Sequence, residues 1–194
     1  AILIHGTPGI QQMSVKRAMQ IHAELEKLRD ERVTSFIGLS AHGYFDKTLA
    51  LIESGGFDLC MLSYGYIPRG HDQRFSERLI QLREACLAKA HELEMGIVAM
   101  KVIGAGVLGA WAPYAVPGYD KERLQKMPGA AIRWVLKDER IDLLVIGMRL
   151  PHEIDANIGT LTRDTTYTAN DRTLLKDYCA EAYKSDMVKA LKLE

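Results

Sequence analysis

The sequence predicts an α/β fold built on a parallel sheet, and two patterns carry the prediction. Short apolar runs without polar alternation recur at residues 2–4, 35–39, 59–62, 97–102 and 143–146. Strands that are apolar on both faces are those buried between covering layers, as in parallel sheets. Each run is followed by a stretch with helical character, at residues 14–31, 45–53, 77–94, 121–137 and 151–158. In the first of these, Ala18, Ile21, Leu25 and Leu28 recur at helical spacing as one apolar stripe. Strand and helix in strict alternation imply a parallel sheet covered by helices.

Two architectures satisfy that order. An open doubly wound sheet announces itself by a glycine-rich fingerprint after its first strand. Here His5, Gly6, Thr7, Pro8 and Gly9 follow the first run, which is not that fingerprint. The polar residues favour the other architecture, the (β/α)8 TIM barrel. His5, Ser40 with His42, Ser63 with Tyr64, Lys101 and Arg149 each fall at or just past the end of a different strand, the face on which barrels build active sites.

About five βα units are present, and five strands cannot close an eight-stranded ring without leaving two parallel edges. Ala1 leads directly into the apolar Ile2, Leu3 and Ile4, with no cap or turn before them. The expectation is therefore that residues precede Ala1 and supply the remaining units. The whole of 1–194 reads as one domain, an incomplete barrel with βα units over 1–159 and a helical tail over 160–194. In the tail, Asp171 caps a helical stretch at 172–191, with Leu174, Leu175, Tyr178, Ala182 and Met187 as its apolar positions. Residues 104–118, with Trp111, Pro113 and Pro117, form the one long irregular loop and the expected lid.

Composition narrows the partners. Lysine plus arginine and aspartate plus glutamate both number 25, so the formal charge is zero. No basic field exists to hold nucleic acid or an anionic membrane. No apolar run approaches the ~20 residues that span a bilayer. Cys60, Cys86 and Cys179 are odd in number and far apart, which fits a reducing compartment, the cytoplasm, better than a disulfide framework. Small molecules or other proteins are the expected partners.

The run from Gly96 through Met100, Lys101, Gly104 and Gly106 is similar to the seventh strand and following loop of the aldo-keto reductases. Ala131-Ile132-Arg133-Trp134-Val135-Leu136, then Leu143 to Gly147, Met148 and Arg149, and on to Glu153 and Asn157, resembles the last unit of that family. Gly38-Leu39-Ser40-Ala41-His42 resembles the end of its fifth strand, and Leu3-Ile4-His5-Gly6 that of its fourth. The resemblance covers residues 1–157 and leaves the family's first three βα units unaccounted for. It implies NADP-dependent reduction of a small-molecule carbonyl by hydride transfer, with NAD as the other possible cofactor. The family's tetrad is Asp, Tyr, Lys and His, with Tyr as general acid. Only the His, here His5, is placed in this chain, so the chain alone is expected to be inactive.

By the same resemblance His5 orients the carbonyl, and the dinucleotide is held by Ser40, Met61, Met100, Lys101, Gly104, Gly106, Gly147, Met148, Arg149, Glu153 and Asn157. Two anchors of the nicotinamide carboxamide depart from the pattern: Ala41 stands where Asn is usual, and Met61 where many relatives carry Gln. Lys101 can pair with the cofactor or with a neighbouring strand. Gly104 and Gly106 permit close backbone approach to a pyrophosphate. Pro151 suits a first helical position, so Arg149 and the helix start after Gly147 offer a 2′-phosphate both a forked cation and free N–H groups. Glu153 acts in the opposite sense, repelling a phosphate or accepting from a ribose hydroxyl. For His5 a satisfied strand-end histidine stays open, for His42 a turn residue, and for Tyr64 and Tyr66 ordinary packing. Cys179 stands alone, so no iron–sulfur cluster is expected. Two other functions remain open: a non-catalytic nucleotide- or partner-binding barrel remnant, and a metal-dependent hydrolase using His5 and His42.

Overall fold

The structure, a computed structural model, describes residues 1–70 and 73–193. Its main sheet takes β1 (Ile2–Ile4), β2 (Ile37–Ala41), β3 (Leu59–Ser63), β5 (Gly96–Met100) and β6 (Leu143–Val145). All pairings are parallel, and the spatial order β1-β2-β3-β5-β6 follows the order along the chain. That order decides the architecture. A doubly wound sheet reverses direction at a switch point, whereas here each strand pairs with the next to arrive, as barrel strands do. β1 and β6 are the two edges of this five-stranded sheet. Two short strands, β4 (Gln73–Arg74) and β7 (Lys192–Leu193), pair separately and were not expected from the sequence.

The same device sets the register twice. Asp58, just before β3, accepts from the N–H of Ile37 at the start of β2 at 2.7 Å. Asp142, just before β6, accepts from the N–H of Ile97 in β5, also at 2.7 Å. A carboxylate entering one strand thus fixes the first donor of its neighbour, and a charge-assisted bond of this kind is worth more than a neutral one.

The helices are α1 (Val15–Asp30), α2 (Phe45–Glu53), α3 (Glu77–Glu92), α4 (Ala112–Ala115), α5 (Lys121–Leu136), α6 (Pro151–Thr162), α7 (Ala169–Ala182) and α8 (Asp186–Lys189). Ser14, Ser76 and Asp120 cap α1, α3 and α5 by accepting from the third residue on. The expected stripe on α1 is half-buried, but its most enclosed positions are Ala18 and His22. The His22 ring donates from Nε2 to the Gly56 carbonyl and meets Phe57 edge-on at 4.7 Å.

Alternation along the strands divides the sheet into two faces. Leu39, Cys60, Leu62, Ile97 and Ala99 turn toward α1, α2 and α3, and none is more than 1% exposed. Leu59, Met61 and Val98 turn the other way and are only partly covered, while Leu143 and Val145 are 55% and 44% exposed. A second apolar cluster joins α5, α7 and the loop after β5 through Leu108, Met127, Ala131, Leu175 and Tyr178. Arg133 holds Asp171 through a forked pair, and the Tyr178 hydroxyl donates to the Ala112 carbonyl at 3.1 Å, so the tail clamps that loop.

Several boundaries differ from expectation. β2 starts two residues later and runs to Ala41, so Ser40 lies inside the strand. β5 stops at Met100 because Lys101 adopts φ of 61°, a left-handed conformation that ends pairing. α6 continues to Thr162, so the helical tail begins later than residue 160. The single tail helix is two, and its N-cap is Thr168, with Asp171 three residues on returning a bond to the Thr168 N–H. Met187, expected to be apolar packing, is 36% exposed. The loop at 104–118 is not irregular throughout: α4 and a tight turn at Gly104–Gly106 lie within it, with Leu108 and Ala112 fully buried.

Candidate active site

The register places the site residues in rows across the open face. Leu3, Gly38, Leu59 and Gly96 form one row. Ser40, Met61, Val98 and Leu143 form the next, and His5, one residue past the Ile4–Leu39 pair, continues it. Ser63, Met100 and Val145 form the last, nearest the C-terminal ends of the strands. Four of the expected residues, His5, Ser40, Met61 and Met100, thus share one face at one end of the sheet.

Close backbone approach joins the first two strand ends. The Gly6 N–H donates to Ser40 Oγ at 3.0 Å, and a Cβ on Gly6 would lie 2.4 Å from the Ser40 carbonyl oxygen, so only glycine passes there. Ser40 is buried with its oxygen accepting, which leaves its hydroxyl hydrogen to donate elsewhere. His5 is exposed, and its ring meets that of His42 edge-to-face at 5.9 Å. His42, read from the sequence as a turn residue, lines the cleft beside Met61 and Met100. Among the described residues, no group of three or more His, Cys, Asp or Glu side chains could hold a metal ion.

That cleft, about 1170 Å³, starts at the strand ends, passes beneath the loop after β5 and reaches α5 and α6. Its lining takes in Lys101, Gly106, Trp111, Gly147, Met148, Arg149, Glu153 and the buried Asn157. Of the expected cofactor residues, Ser40 and Gly104 do not line it, although both flank it. Lys101 forms no ion pair among the described residues. Burial, and secondarily the nearby Arg69 guanidinium, push its ammonium below the ordinary lysine range. Pro128 lies within α5 where that helix faces the cleft, and without an N–H it leaves the Leu124 carbonyl no intrahelical donor.

The glycine turn is closed by its own backbone bonds. The Gly104 N–H donates to the Lys101 carbonyl at 2.7 Å and that of Gly106 to Ile103 at 3.0 Å, so both are used within the turn. Gly106 has φ of 92°, and the space of its missing side chain is filled by the Trp111 indole, 2.3 Å from where a Cβ would lie. Trp111 in turn carries the Arg149 guanidinium over its ring at 5.6 Å.

At the start of α6, Glu153 Oε2 accepts from the N–H groups of both Arg149 and Leu150. These two bonds hold its carboxyl below the usual glutamate range. Tyr64, left open as packing, is buried against Trp134 at 5.3 Å, with its hydroxyl donating to Asp138 at 2.6 Å. It faces away from the site. No sequence signal announced Asp138, which sits in a loop, holds its near neighbour Arg140 and accepts from Tyr64, a residue from a distant part of the chain.

Three solved structures similar to this chain are of aldo-keto reductases. The chain matches aldo-keto reductase AKR11C1 from Bacillus halodurans in its holo form, with a TM-score of 0.62 and 15% identity over 91% of this chain and 57% of that one. The fold is that of the aldo-keto reductases. The apo form of the same enzyme matches with a TM-score of 0.52 and 15% identity, over 79% of this chain and 54% of that one. A thermostable aldo-keto reductase, Tm1743, solved with the inhibitor epalrestat, matches at 0.56 and 13% identity, over 91% of this chain and 58% of its own. The chain spans less than two thirds of the length of these reductases. No protein-family profile matches it, and no curated protein sequence does. Among the described residues, no helix is long and apolar enough to cross a membrane.

Proposed function

We propose that this chain carries the cofactor-binding part of an NADP-dependent oxidoreductase of aldo-keto reductase type, which reduces a small-molecule carbonyl. The observation that carries the reading is the grouping of His5, Ser40, Met61 and Met100 on one face, with Met61 and Met100 lining a single cleft that runs to Arg149 and His5 and Ser40 beside it. Its volume exceeds the range usual for drug-sized ligands and suits an extended one.

Bound NADPH would supply the hydride. The chain's own residues position both partners of the transfer. The Ser40 hydroxyl is free to donate to the carboxamide, and Met61 and Met100 give the ring a polarizable apolar wall. Lys101 supplies a cation at the strand end, and the Arg149 fork meets a 2′-phosphate. Asn157, buried on α6, offers an amide to the adenosine end. His5 donates to the substrate oxygen and fixes its orientation.

On this reading the proton for that oxygen comes from a tyrosine outside the chain. Three further βα units close the ring against the β1 and β6 edges and bring that residue beside His5. Residues 1–194 then belong to one domain, and the three buried free cysteines suit a reducing compartment such as the cytoplasm.

Titration of the chain with NADPH, followed by quenching of tryptophan fluorescence, tests the cofactor reading, since Trp111 lines the cleft. Saturable binding is expected. Failure to bind NADPH or NADH even at millimolar concentration would refute it.

A further inference from the structure

We infer that Lys101 is a covalent capture site for aldehydes: at the strand-end part of the cleft its amine condenses reversibly with an apolar aldehyde to form an imine. The inference goes beyond carbonyl reduction and needs no bound dinucleotide.

The backbone puts the amine there. In β5, Ile97 and Ala99 turn toward the helices and Val98 and Met100 the other way, so a strand continued by one residue would send position 101 to the covered side. Instead Lys101 adopts φ of 61°, leaves that alternation, and lines the cleft with Met61, Met100 and His42. A lysine in the left-handed region is a local cost that the surrounding structure must sustain. Here the Gly104 N–H sustains it by donating to the Lys101 carbonyl at 2.7 Å.

The surroundings suit a nucleophile better than a salt bridge. Lys101 is half-buried, and its Nζ has no hydrogen-bond or ion-pair partner among the described residues. The other lysine of the cleft, Lys126, is exposed and pairs with Glu122 at 2.6 Å. The carboxylates that line the cleft, Glu153, Asp155 and Asp164, belong to α6 and the turn beyond it, and none comes from a strand end. Burial, and then the Arg69 guanidinium, favours the neutral amine over the ammonium. The neutral amine is the form that attacks a carbonyl. Met61, Met100 and Trp111 give an apolar aldehyde its walls.

The condensation balances without a redox partner. The Nζ lone pair forms a bond to the carbonyl carbon while the carbonyl π pair moves to oxygen, which takes a proton from the nitrogen. The resulting hydroxyl gains a second proton from solvent and leaves as water as the nitrogen lone pair closes the C=N bond. The nitrogen then returns a proton to solvent, and hydrolysis reverses each step.

The test is to incubate the full chain with butanal and cyanoborohydride, which reduces an imine to a stable secondary amine, and to read butylation lysine by lysine by mass spectrometry of the digest. Early in the reaction Lys101 should carry at least roughly fivefold more label than Lys126 or the exposed Lys16 and Lys121. In the urea-unfolded chain that preference should vanish, which ties it to the cleft rather than to the local sequence. Even labelling of the four lysines in the folded chain, slower labelling of Lys101, or a preference that survives in urea would overturn the inference.

Discussion

The two faces of one sheet obey opposite rules. Leu62 and Met61 are neighbours in β3, yet one is wholly enclosed by helices and the other half-open to the cleft. On the covered face, apolar residues from three strands meet Phe45, Leu51 and Leu87 with no exposure at all. On the open face the same strands place serine, histidine and methionine at their C-terminal ends. Stability resides on the first face and the proposed chemistry on the second, and the strand's period of two keeps them apart.

Substitution at adjacent positions is the most severe way to break that contrast. Leu62→Ala removes enclosed methyl groups and should cost about 2 to 5 kcal/mol in denaturant unfolding, the range for a core leucine. Met61→Ala, one residue away, should cost less than about 1 kcal/mol because its site is already partly hydrated. Similar losses at both positions would mean that the open face is covered as tightly as the closed one.

Binding sharpens the contrast next. Arg149→Ala should weaken NADPH by roughly 1.5 to 3 kcal/mol, the value of a charge-assisted bond, with little effect on NADH or on the melting temperature. Equal weakening of both dinucleotides would remove the phosphate from Arg149.

The smallest effect is one of pH, and it belongs to the covered side. Asp138 accepts from Arg140, and also from Tyr64, and these bonds hold its carboxyl at about 2. A carboxylate whose folded value is depressed contributes stability that is fully present above its ordinary range near 4 and is lost as pH falls toward about 2. The loss should be about 1 to 2 kcal/mol once solvent screening is allowed for. Asp138→Asn should be less stable than wild type at pH 6 and should lose less between pH 4 and pH 2. Parallel curves for the two proteins would show that the carboxylate contributes nothing.

Much of this was legible in the chain itself, because the strands are apolar on both faces and the helices carry local caps. Those signals lie within a few residues of each other. His5, Ser40 and Arg149 could be placed because each lies at or just past the end of a strand, and a strand end is visible without knowing its neighbours. What escaped was decided by turn geometry and side-chain direction that no pattern marks. Lys101 ends β5 through a left-handed turn that no pattern marks. Gly104 and Gly106 read as a phosphate approach, yet their amides are used within the turn and Trp111 fills the space over Gly106. Glu153 could be placed at the helix start, but not that it turns back onto the amides of Arg149 and Leu150. His42 read as a turn residue because only the fold brings its ring to that of His5.

The sequential strand order has a consequence for how the molecule opens. Every strand of the main sheet pairs only with its predecessor and successor, so disruption at one edge need not propagate through the centre. Amide hydrogens of β3, bonded on both sides and flanked by enclosed residues, should exchange slowest. Those of β6, an edge strand whose Leu143 and Val145 are largely exposed, should exchange far sooner. Protection would then fall stepwise from the middle of the sheet to its margins, and the cleft, which borders β6, would sit on the part of the protein that opens first.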